Sequence, residues 1–524
     1  MTQNYLLTAG TPIIEKLVLT TCLGQTLDIT PQLVSFAINE DMYFPCLTGT
    51  IHISDGIGMF DQLPIAGNEK LTIKFYSWDY ADNNRTCDFI FRTFDVLKVT
   101  DIKQVNDYTK NYTLHFASPE LKLNETIKIS QSYQNVSISQ VIANILTENY
   151  DKTNTEPRGL NLPKTDLAQL VVKSSFLNPA GDKSDNVELL AQKIDDFDTI
   201  EIFVEKTKYI EPFITIPYSK PFDMINQLAS RSIRLCGGRN NTSEANTVCN
   251  FVFFENKRGY QFISIETLLE DGTGDNTTFY FGNAAQNYSP KSGQRTVTRQ
   301  VIEKLYFVDC HDILNNINDG MYASRFLTYD MSTGEMYTND YDYNVEFPHT
   351  ESTERTGSVN GIVNDYPMIF TDKQNSKSDL TNKPLSRYMM MPTTIKGIDL
   401  MTAGHSQRID DKKLLVGTQE FLQRRASQLA RLNTLKVIIE IAGNSKHKVG
   451  DLVTLDLNYL PVSDGNSVPH ETRLKYYSGN YLIVGIRHTV SMMEYKMTLE
   501  LAKDSFLQKI GQLSNSTDIV DTTL

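Results

Sequence analysis

The tripeptide Cys310-His311-Asp312 holds the side-chain types of a nucleophile, a base and an orienting acid. Neighbouring residues of a β-strand point to opposite faces, so a thiol and an imidazole that follow each other in a strand do not meet. We therefore expect no nucleophilic catalysis at this place. The sequence also contains no Gly-x-Ser-x-Gly motif, phosphate loop or dinucleotide fingerprint.

Two groups of carboxylates have spacings that suit other chemistry. The run 271–276 (DGTGDN) has the residue types of a calcium loop, but it occurs once and lacks the downstream Glu of an EF-hand. A tight turn is the favoured interpretation. Asp195, Asp196 and Asp198 could share acid–base work, yet the apolar Phe197 between them favours an amphipathic segment with one solvent-facing side.

Composition favours a structural protein of the cytoplasm without a cofactor or a metal ion. The six cysteines include no Cys-x-x-Cys pair, and the eight histidines include no His-x-x-x-His pair. The cysteines are predicted to be small buried side chains in a reducing compartment. A net charge of −13 argues against tight binding of nucleic acid, which needs clustered Lys and Arg.

The length of 524 residues predicts three or four domains. No apolar run approaches the roughly 20 residues that span a bilayer, so no membrane insertion is expected. The N-terminus lacks the basic and apolar regions of a signal peptide.

Both ends of the chain have the period-two pattern of β-strands. Residues 1–118 contain about six short strands, among them Leu71–Tyr76 and Tyr112–Phe116. Near the C-terminus, Tyr495–Leu501 alternates apolar and polar residues, and Lys496, Thr498 and Glu500 form its polar side. His488 lies in the predicted turn before this last strand. The two strand-rich ends predict a duplicated plan, although no repeat is visible residue by residue.

The middle of the chain predicts a small α+β domain. Ser137 and Gln140 fit a capping box, with a helix over about 137–150. A second helix over about 219–235 and a hairpin over 250–266 follow. A later helix is predicted over about 418–435, within a segment of little periodicity. The last residues, 506–524, read as a polar, flexible tail.

Four stretches together resemble the central hub proteins of contractile phage baseplates, which are related to the N-terminal part of the type VI secretion spike protein. They are Ile51–Asp55 with Gly67–Ile73, the helix and hairpin of 219–265, Asp319–Ser324 with Tyr329 and Asp330, and the C-terminal stretch Gly443–Lys503. Residues 346–416 match nothing in that family.

The resemblance implies an α+β, mainly β fold with two tail-tube-like antiparallel β-barrel domains. The first would be 1–118 and the second 291–345 joined to 431–505. Residues 119–290 would form the α+β domain, 346–430 a loop-rich insertion, and 506–524 the tail.

The resemblance further implies a homotrimer in the baseplate of the virion, assembled in the host cytoplasm. Three chains with two tube-like domains each would join a sixfold tail tube to a threefold spike. Its partners would be the central spike protein, a tube protein or tube initiator, and other baseplate proteins. DNA would pass through an acidic lumen without specific binding. Lys496, Thr498, Glu500 and His488 are the candidates for contact with a neighbouring subunit or the lumen.

Two alternatives remain open on the sequence. A hub-like protein with cell-wall hydrolase activity would need an acid and a nucleophile in a compact domain, and no convincing pair is present. A receptor- or carbohydrate-binding tail protein would expose aromatic platforms, and the chain has a single Trp, Trp78.

Overall fold

The computed structural model describes most of the strand-rich ends and part of the middle of the chain. The described residues are 10–62, 67–77, 89–147, 159–160, 162, 187–195, 198–207, 210–234, 250–271, 277–281, 300–330, 334, 336–347, 350–354, 365–369, 387–393, 422–457, 474, 476–508 and 510.

Within these ranges the backbone forms 22 strands. They are β1 (Pro12–Thr20), β2 (Thr26–Asp28), β3 (Leu33–Asp41), β4 (Thr48–Asp55), β5 (Lys70–Ser77), β6 (Ile90–Gln104), β7 (Lys110–Ala117), β8 (Ile129–Ser137), β9 (Val187–Asp195), β10 (Asp198–Glu205), β11 (Ile210–Ser219), β12 (Phe251–Asn256), β13 (Gly259–Ser264), β14 (Thr277–Phe281), β15 (Ile302–Cys310), β16 (Ala323–Asp330), β17 (Met336–Asp342), β18 (Tyr388–Thr393), β19 (Leu435–Ala442), β20 (Leu452–Leu457), β21 (Gly479–Ser491) and β22 (Tyr495–Lys503).

The described helices are short. They are α1 (Met59–Gln62), α2 (Pro119–Thr126), α3 (Ile138–Thr147), α4 (Pro221–Ala229), α5 (Ile265–Asp271), α6 (Ile313–Asn318), α7 (Tyr343–Glu346) and α8 (Leu422–Leu432), with a 3₁₀ turn at Thr30–Gln32. The predicted mainly β class is therefore confirmed. The strands form sheets of 13, four, three and two strands.

The 13-stranded sheet contains the same strand order twice. Its first half runs β3-β4-β7-β6-β5-β1, and its second half runs β15-β19-β22-β21-β20-β14. When each set is numbered along the chain, both have the order 2-3-6-5-4-1. Neighbouring strands are antiparallel except β14 and β20, which are parallel. A repeated strand order is what a duplicated plan predicts.

The two halves join through β21 and β3. These strands are antiparallel, with the register running from Gly485 opposite Asp41 to Ser491 opposite Ser35. The hydrogen-bonded path through the large sheet then runs open from β15 to β2 in the described part of the chain. The two closed tube-like barrels therefore stay a prediction.

The hairpin of β12 and β13 connects two hydrophobic cores, because both of its faces are buried. Val252, Phe254 and Ile263 pack into the core beneath the large sheet. Phe251 and Phe253 point the other way and pack with α3 and α4. Each fully buried side chain of this size stabilises the fold by about 1.5–3 kcal/mol. The hairpin lies within the predicted range 250–266.

Helices α3 and α4 start where the sequence indicates. The Ser137 backbone N–H donates to Gln140 Oε1 at 3.2 Å, and the Gln140 N–H donates to Ser137 Oγ at 3.4 Å. These reciprocal bonds form the predicted capping box. Helix α4 begins with Pro221, where a missing backbone N–H is harmless.

Strands β16 and β17 do not join the large sheet, although the sequence places residues 323–342 in the second tube-like domain. They pair with each other, and β16 also pairs in parallel with β18, which comes from the predicted insertion. The second half of the large sheet also starts earlier than predicted, with β14. The domain boundaries themselves stay a prediction.

Candidate interaction face

The large sheet has one buried side and one polar side, which we call the polar face. On β22 the polar face carries Lys496, Thr498 and Glu500, all partly exposed. The opposite side of this strand is fully buried and consists of Tyr495, Met497, Leu499 and Leu501. The alternation in the sequence thus places these three candidate residues on one surface. Their contact with a lumen or a neighbouring subunit stays a prediction.

Ion pairs cover the part of the polar face formed by β15, β19 and β22. Lys304 Nζ lies 2.6 Å from Glu440 Oε2, and Lys436 Nζ lies 3.6 Å from Glu500 Oε1. Lys496 Nζ lies 3.0 Å from Glu494 Oε1. Such exposed pairs contribute little to stability. Because each of these lysines has a carboxylate partner, the positive charges on this part of the surface are compensated.

His488 is not on that face, and its prediction as a turn residue at a lumen or subunit contact is wrong. It lies inside β21 and has no exposed surface. Its partner across the strands is Met497, on the buried side of β22. Because β21 extends to Ser491, the turn comes later, at residues 492–494.

His488 belongs to a buried polar cluster under the junction of the two halves. Its Nδ1 lies 2.8 Å from the Tyr495 hydroxyl, and its Nε2 lies 3.4 Å from Glu40 Oε1. Burial, and the nearby Glu40, raise the pKa of Tyr495 well above its ordinary value. The hydroxyl therefore keeps its proton and can donate it to Nδ1.

The cluster joins four segments of the chain, since Glu40 lies on β3 and also accepts the Val449 N–H at 3.3 Å. Tyr495 and Phe75 stack edge to face at 5.5 Å. Sequence reasoning missed Glu40 and Tyr495. The available signal was the period-two spacing of Phe36, Ile38 and Glu40, which places Glu40 on the buried side of β3.

Replacing His488 with Phe is expected to lower the free energy of unfolding by about 1–3 kcal/mol, because the buried Glu40 and Tyr495 groups lose a polar partner. Urea unfolding measures the change. His52→Phe is the control, since His52 is exposed on the polar face and makes a hydrogen bond to Thr113; it should change stability by about 1 kcal/mol or less. Equal effects of both variants would show that the buried cluster contributes nothing specific.

The motifs with possible chemistry have structural roles or lie outside the description. Asp312 caps α6 by accepting the Asn315 N–H at 3.1 Å, and the His311 N–H donates to Thr434 O. Asp195 and Asp198 face each other where β9 turns into β10. Asp196 and residues 272–276 lie outside the described residues. Among the described residues, no three His, Cys, Asp or Glu side chains could share a metal ion.

The repeated strand order and the polar face can be set beside known proteins. No family model matches the chain. The probable baseplate hub protein of Vibrio phage KVP40 is 21% identical over 474 residues, which cover 88% of this chain and 87% of that protein. The resemblance to phage baseplate hub proteins is confirmed. The predicted location, the baseplate of a phage tail, agrees with this relative.

Solved structures of tail proteins align over most of the chain at low similarity. The 43 kDa tail protein of prophage MuSo2 from Shewanella oneidensis is 8% identical, with a TM-score of 0.42 and coverage of 93% of this chain and 98% of that one. A tail protein from Neisseria meningitidis MC58 is 10% identical, with a TM-score of 0.41 and coverage of 93% and 96%. The E. coli c3393 protein, a type VI secretion component, is 10% identical, with a TM-score of 0.32 and coverage of 95% and 78%.

No helix among the described residues is long and apolar enough to cross a membrane.

Proposed function

We propose that the chain is the structural hub of a contractile phage tail, a homotrimer that joins the sixfold tail tube to the threefold central spike and lines the DNA channel. The central spike, the tube protein or tube initiator, and other baseplate proteins would be its partners. The hub-protein relative supports the general role. The proposed role of the chain is structural and includes no catalytic step.

The observation that carries this proposal is the join between β21 and β3. β21 is the fifth strand of the second half, and its residues 479–482 pair with β20. Its later residues, 485–491, run past β20 and pair with β3, the second strand of the first half. One half is therefore joined to the other by the end of a long fifth strand.

Among the described residues the same two edges carry no paired strand at the outer ends of the sheet, apart from one bridge between Tyr280 of β14 and Val301, just before β15. β6 is the fifth strand of the first half; its residues 90–95 pair with β5, and residues 97–104 extend beyond it. β15 is the second strand of the second half and lies at the end of the strand order. In the described part of the chain, no strand occupies the outer edge of 97–104 or of 303–308.

Exposed apolar side chains lie along both outer edges. Leu97 and Ile102 on β6 are 45% and 51% exposed, and Tyr306 and Val308 on β15 are 55% and 50% exposed. At the internal join β21 covers the edge of β3, and Ala37, which lies on the polar face there, is 6% exposed. An exposed edge strand with apolar side chains is a template for pairing with another chain.

Repeating the internal join between chains would pair the β6 extension of one chain with β15 of the next. Each chain then contributes one internal and one external junction, so that three chains contain six equivalent junctions. The polar face is continuous across the internal join and would continue around the ring. This arrangement would present near-sixfold contacts from three copies.

The native mass in solution tests the proposal. We expect three times the 59.5 kDa of one chain, measured by light scattering on a sizing column. Tyr306→Asp is expected to shift the mass to that of one chain, because a carboxylate at the edge of β15 would be desolvated in the junction.

Met390→Asp is the matched control. Met390 is 70% exposed on β18, in a different sheet, so the same change should leave the trimer intact. A wild-type chain that stays monomeric at all concentrations, or a trimer that tolerates Tyr306→Asp, would exclude the proposed junction.

A further inference from the structure

We propose that unpaired basic side chains on the polar face bind the phosphate backbone of duplex DNA weakly. This site, which we call the basic strip, consists of Lys98 on β6, His115 on β7, His52 on β4 and Arg487 on β21. The inference rests on the proposed function, because that function brings DNA to the polar face. It deepens the function by assigning the residues that touch the DNA.

Two rows of cross-strand partners contain three of the four residues of the strip. One row runs from Thr489 through Ala37, Thr50 and His115 to Lys98. The next row runs from Ser491 through Ser35, His52 and Thr113 to Thr100. Paired residues in a sheet have side chains on the same side, so both rows lie on the polar face. Neither row contains a carboxylate, but Arg487 lies in an adjoining row, through Asn39, Thr48 and Ala117, that ends at Asp95.

Hydrogen bonds hold the two histidines in these rows. His52 Nδ1 lies 2.8 Å from Thr113 Oγ1, and His115 Nε2 lies 2.9 Å from Thr100 Oγ1. His52 and Lys98 are exposed, and His115 is half-buried. The hydroxyl groups of Thr113 and Thr100 therefore fix the orientation of the two imidazoles.

The basic residues of the strip differ from the other cations of the polar face. Lys304, Lys436 and Lys496 each have a carboxylate partner. Within the described ranges, Lys98 and Arg487 have no carboxylate at ion-pair distance. The nearest acids to Lys98 on its own strand are Asp95, which contacts Lys122 at 4.0 Å, and Asp101, which accepts from the Thr100 hydroxyl. Next to Arg487 on the same face are Glu500, whose Oε1 lies 3.6 Å from Lys436 Nζ, and Asp41, both of which pair with Gly485.

The strip changes the expectation of an acidic lumen derived from the net charge of −13. The acidic excess does not lie on these two rows. Charges separated by more than about 8–10 Å are screened at physiological salt, so DNA at this surface would respond chiefly to the local cations. Few unpaired cations in an acidic protein would give contacts that form and break quickly, which suits a moving polyanion.

The test is binding of a short fluorescent DNA duplex to the full-length chain, followed by anisotropy across a salt series. The Lys98→Gln/Arg487→Gln double variant is expected to bind more weakly at low salt. Its slope of log affinity against log salt should fall by about 2, because each lost phosphate contact lowers the slope by about 1.

Lys304→Gln/Lys496→Gln is the matched control, since it removes the same formal charge from the same face but from paired lysines. A slope that stays close to wild type in the control supports the strip. Two results would overturn the strip: an equal loss of DNA affinity in both double variants, or no DNA binding by the wild-type chain at low salt. The assignment to DNA would be overturned if the chain bound anionic lipid vesicles as tightly as DNA and lost that binding in the Lys98→Gln/Arg487→Gln variant.

The outcome is separable from that of the proposed function. A trimer whose DNA binding ignores Lys98 and Arg487 would overturn the strip and leave the hub function standing. A chain that never forms a trimer, but loses DNA binding only in the Lys98→Gln/Arg487→Gln variant, would overturn the hub function and leave the strip standing.

Discussion

Replacement of Arg431, which lies on α8, with Met is expected to lower the free energy of unfolding by about 3–5 kcal/mol. The guanidinium is almost fully buried and lies 3.0 Å from Asp504 Oδ2. Removing one partner of a buried ion pair leaves the other charge in a medium of low dielectric constant without compensation. The loss therefore greatly exceeds the value of an exposed pair.

The surroundings of Arg431 explain why its removal cannot be repaired locally. Arg431 Nη1 donates to Thr350 Oγ1 at 2.9 Å, and Nη2 donates to the Glu351 carbonyl at 3.0 Å. Burial alone lowers its pKa, but Asp504, together with Tyr343, Tyr341 and Glu266, outweighs burial and the pKa is raised. The side chain thus ties α8 to the end of β22 and to a segment of the predicted insertion.

Urea unfolding followed by circular dichroism measures this effect. Arg325→Met is the control, because Arg325 forms an ion pair with Asp340, at 2.6 and 2.7 Å, on the surface. Its loss should cost about 1 kcal/mol or less. Arg431→Met/Asp504→Asn should recover part of the loss. Equal costs for Arg431→Met and Arg325→Met would show that burial does not set the value of the pair.

Helix α8 also marks what the sequence could not predict. Its period correctly predicts a helix within 418–435, with Leu432 on an apolar side. The polar side looks like a solvent-facing surface, yet Gln423 and Arg431 are each only 2% exposed. Gln423 Nε2 donates to Ser324 O at 2.9 Å. Burial of a polar face depends on partners distant in sequence, which a local period does not contain.

Local sequence patterns predicted those elements well whose contacts lie within a few residues along the chain. The capping box at Ser137, the hairpin of β12 and β13, and the alternation of β22 each involve residues close in the chain. The parallel pairing of β16 with β18 joins residues about 60 positions apart, and nothing in either strand specifies it. The misplacement of His488 likewise came from reading a turn into a strand whose buried polar partner, Glu40, lies far away in sequence.

The most pronounced pH effect is expected from Glu266 on α5. This side chain is 2% exposed, and among the described residues its Oε2 atom has no hydrogen-bond partner. Burial, and then the nearby Glu351, raise its pKa to about 8; Arg234 and Arg431 oppose this, and Glu270 adds to it. In the unfolded chain a Glu has a pKa near its ordinary value of 4.5.

A carboxyl whose pKa is higher in the folded state favours folding when it is protonated. Its contribution is therefore fully present below about pH 4.5 and is lost as the pH rises through about 8. Glu266→Gln removes the titration and keeps the shape of the side chain. We expect the variant to gain stability over the wild type by about 1.4 kcal/mol for each pH unit within this window.

Urea midpoints of wild type and Glu266→Gln, measured at intervals between about pH 5 and 8, give the difference directly. Glu494→Gln is the control, because Glu494 is 62% exposed in the turn between β21 and β22, where hydration of the carboxylate is retained in the fold. Its curve should run parallel to that of the wild type. A Glu266→Gln curve that is also parallel would mean that Arg234 and Arg431 hold the carboxylate ionised throughout. Glu266 would then be a charged member of a network with Arg234 and Arg431. It would not be a carboxyl that gains a proton when the protein folds.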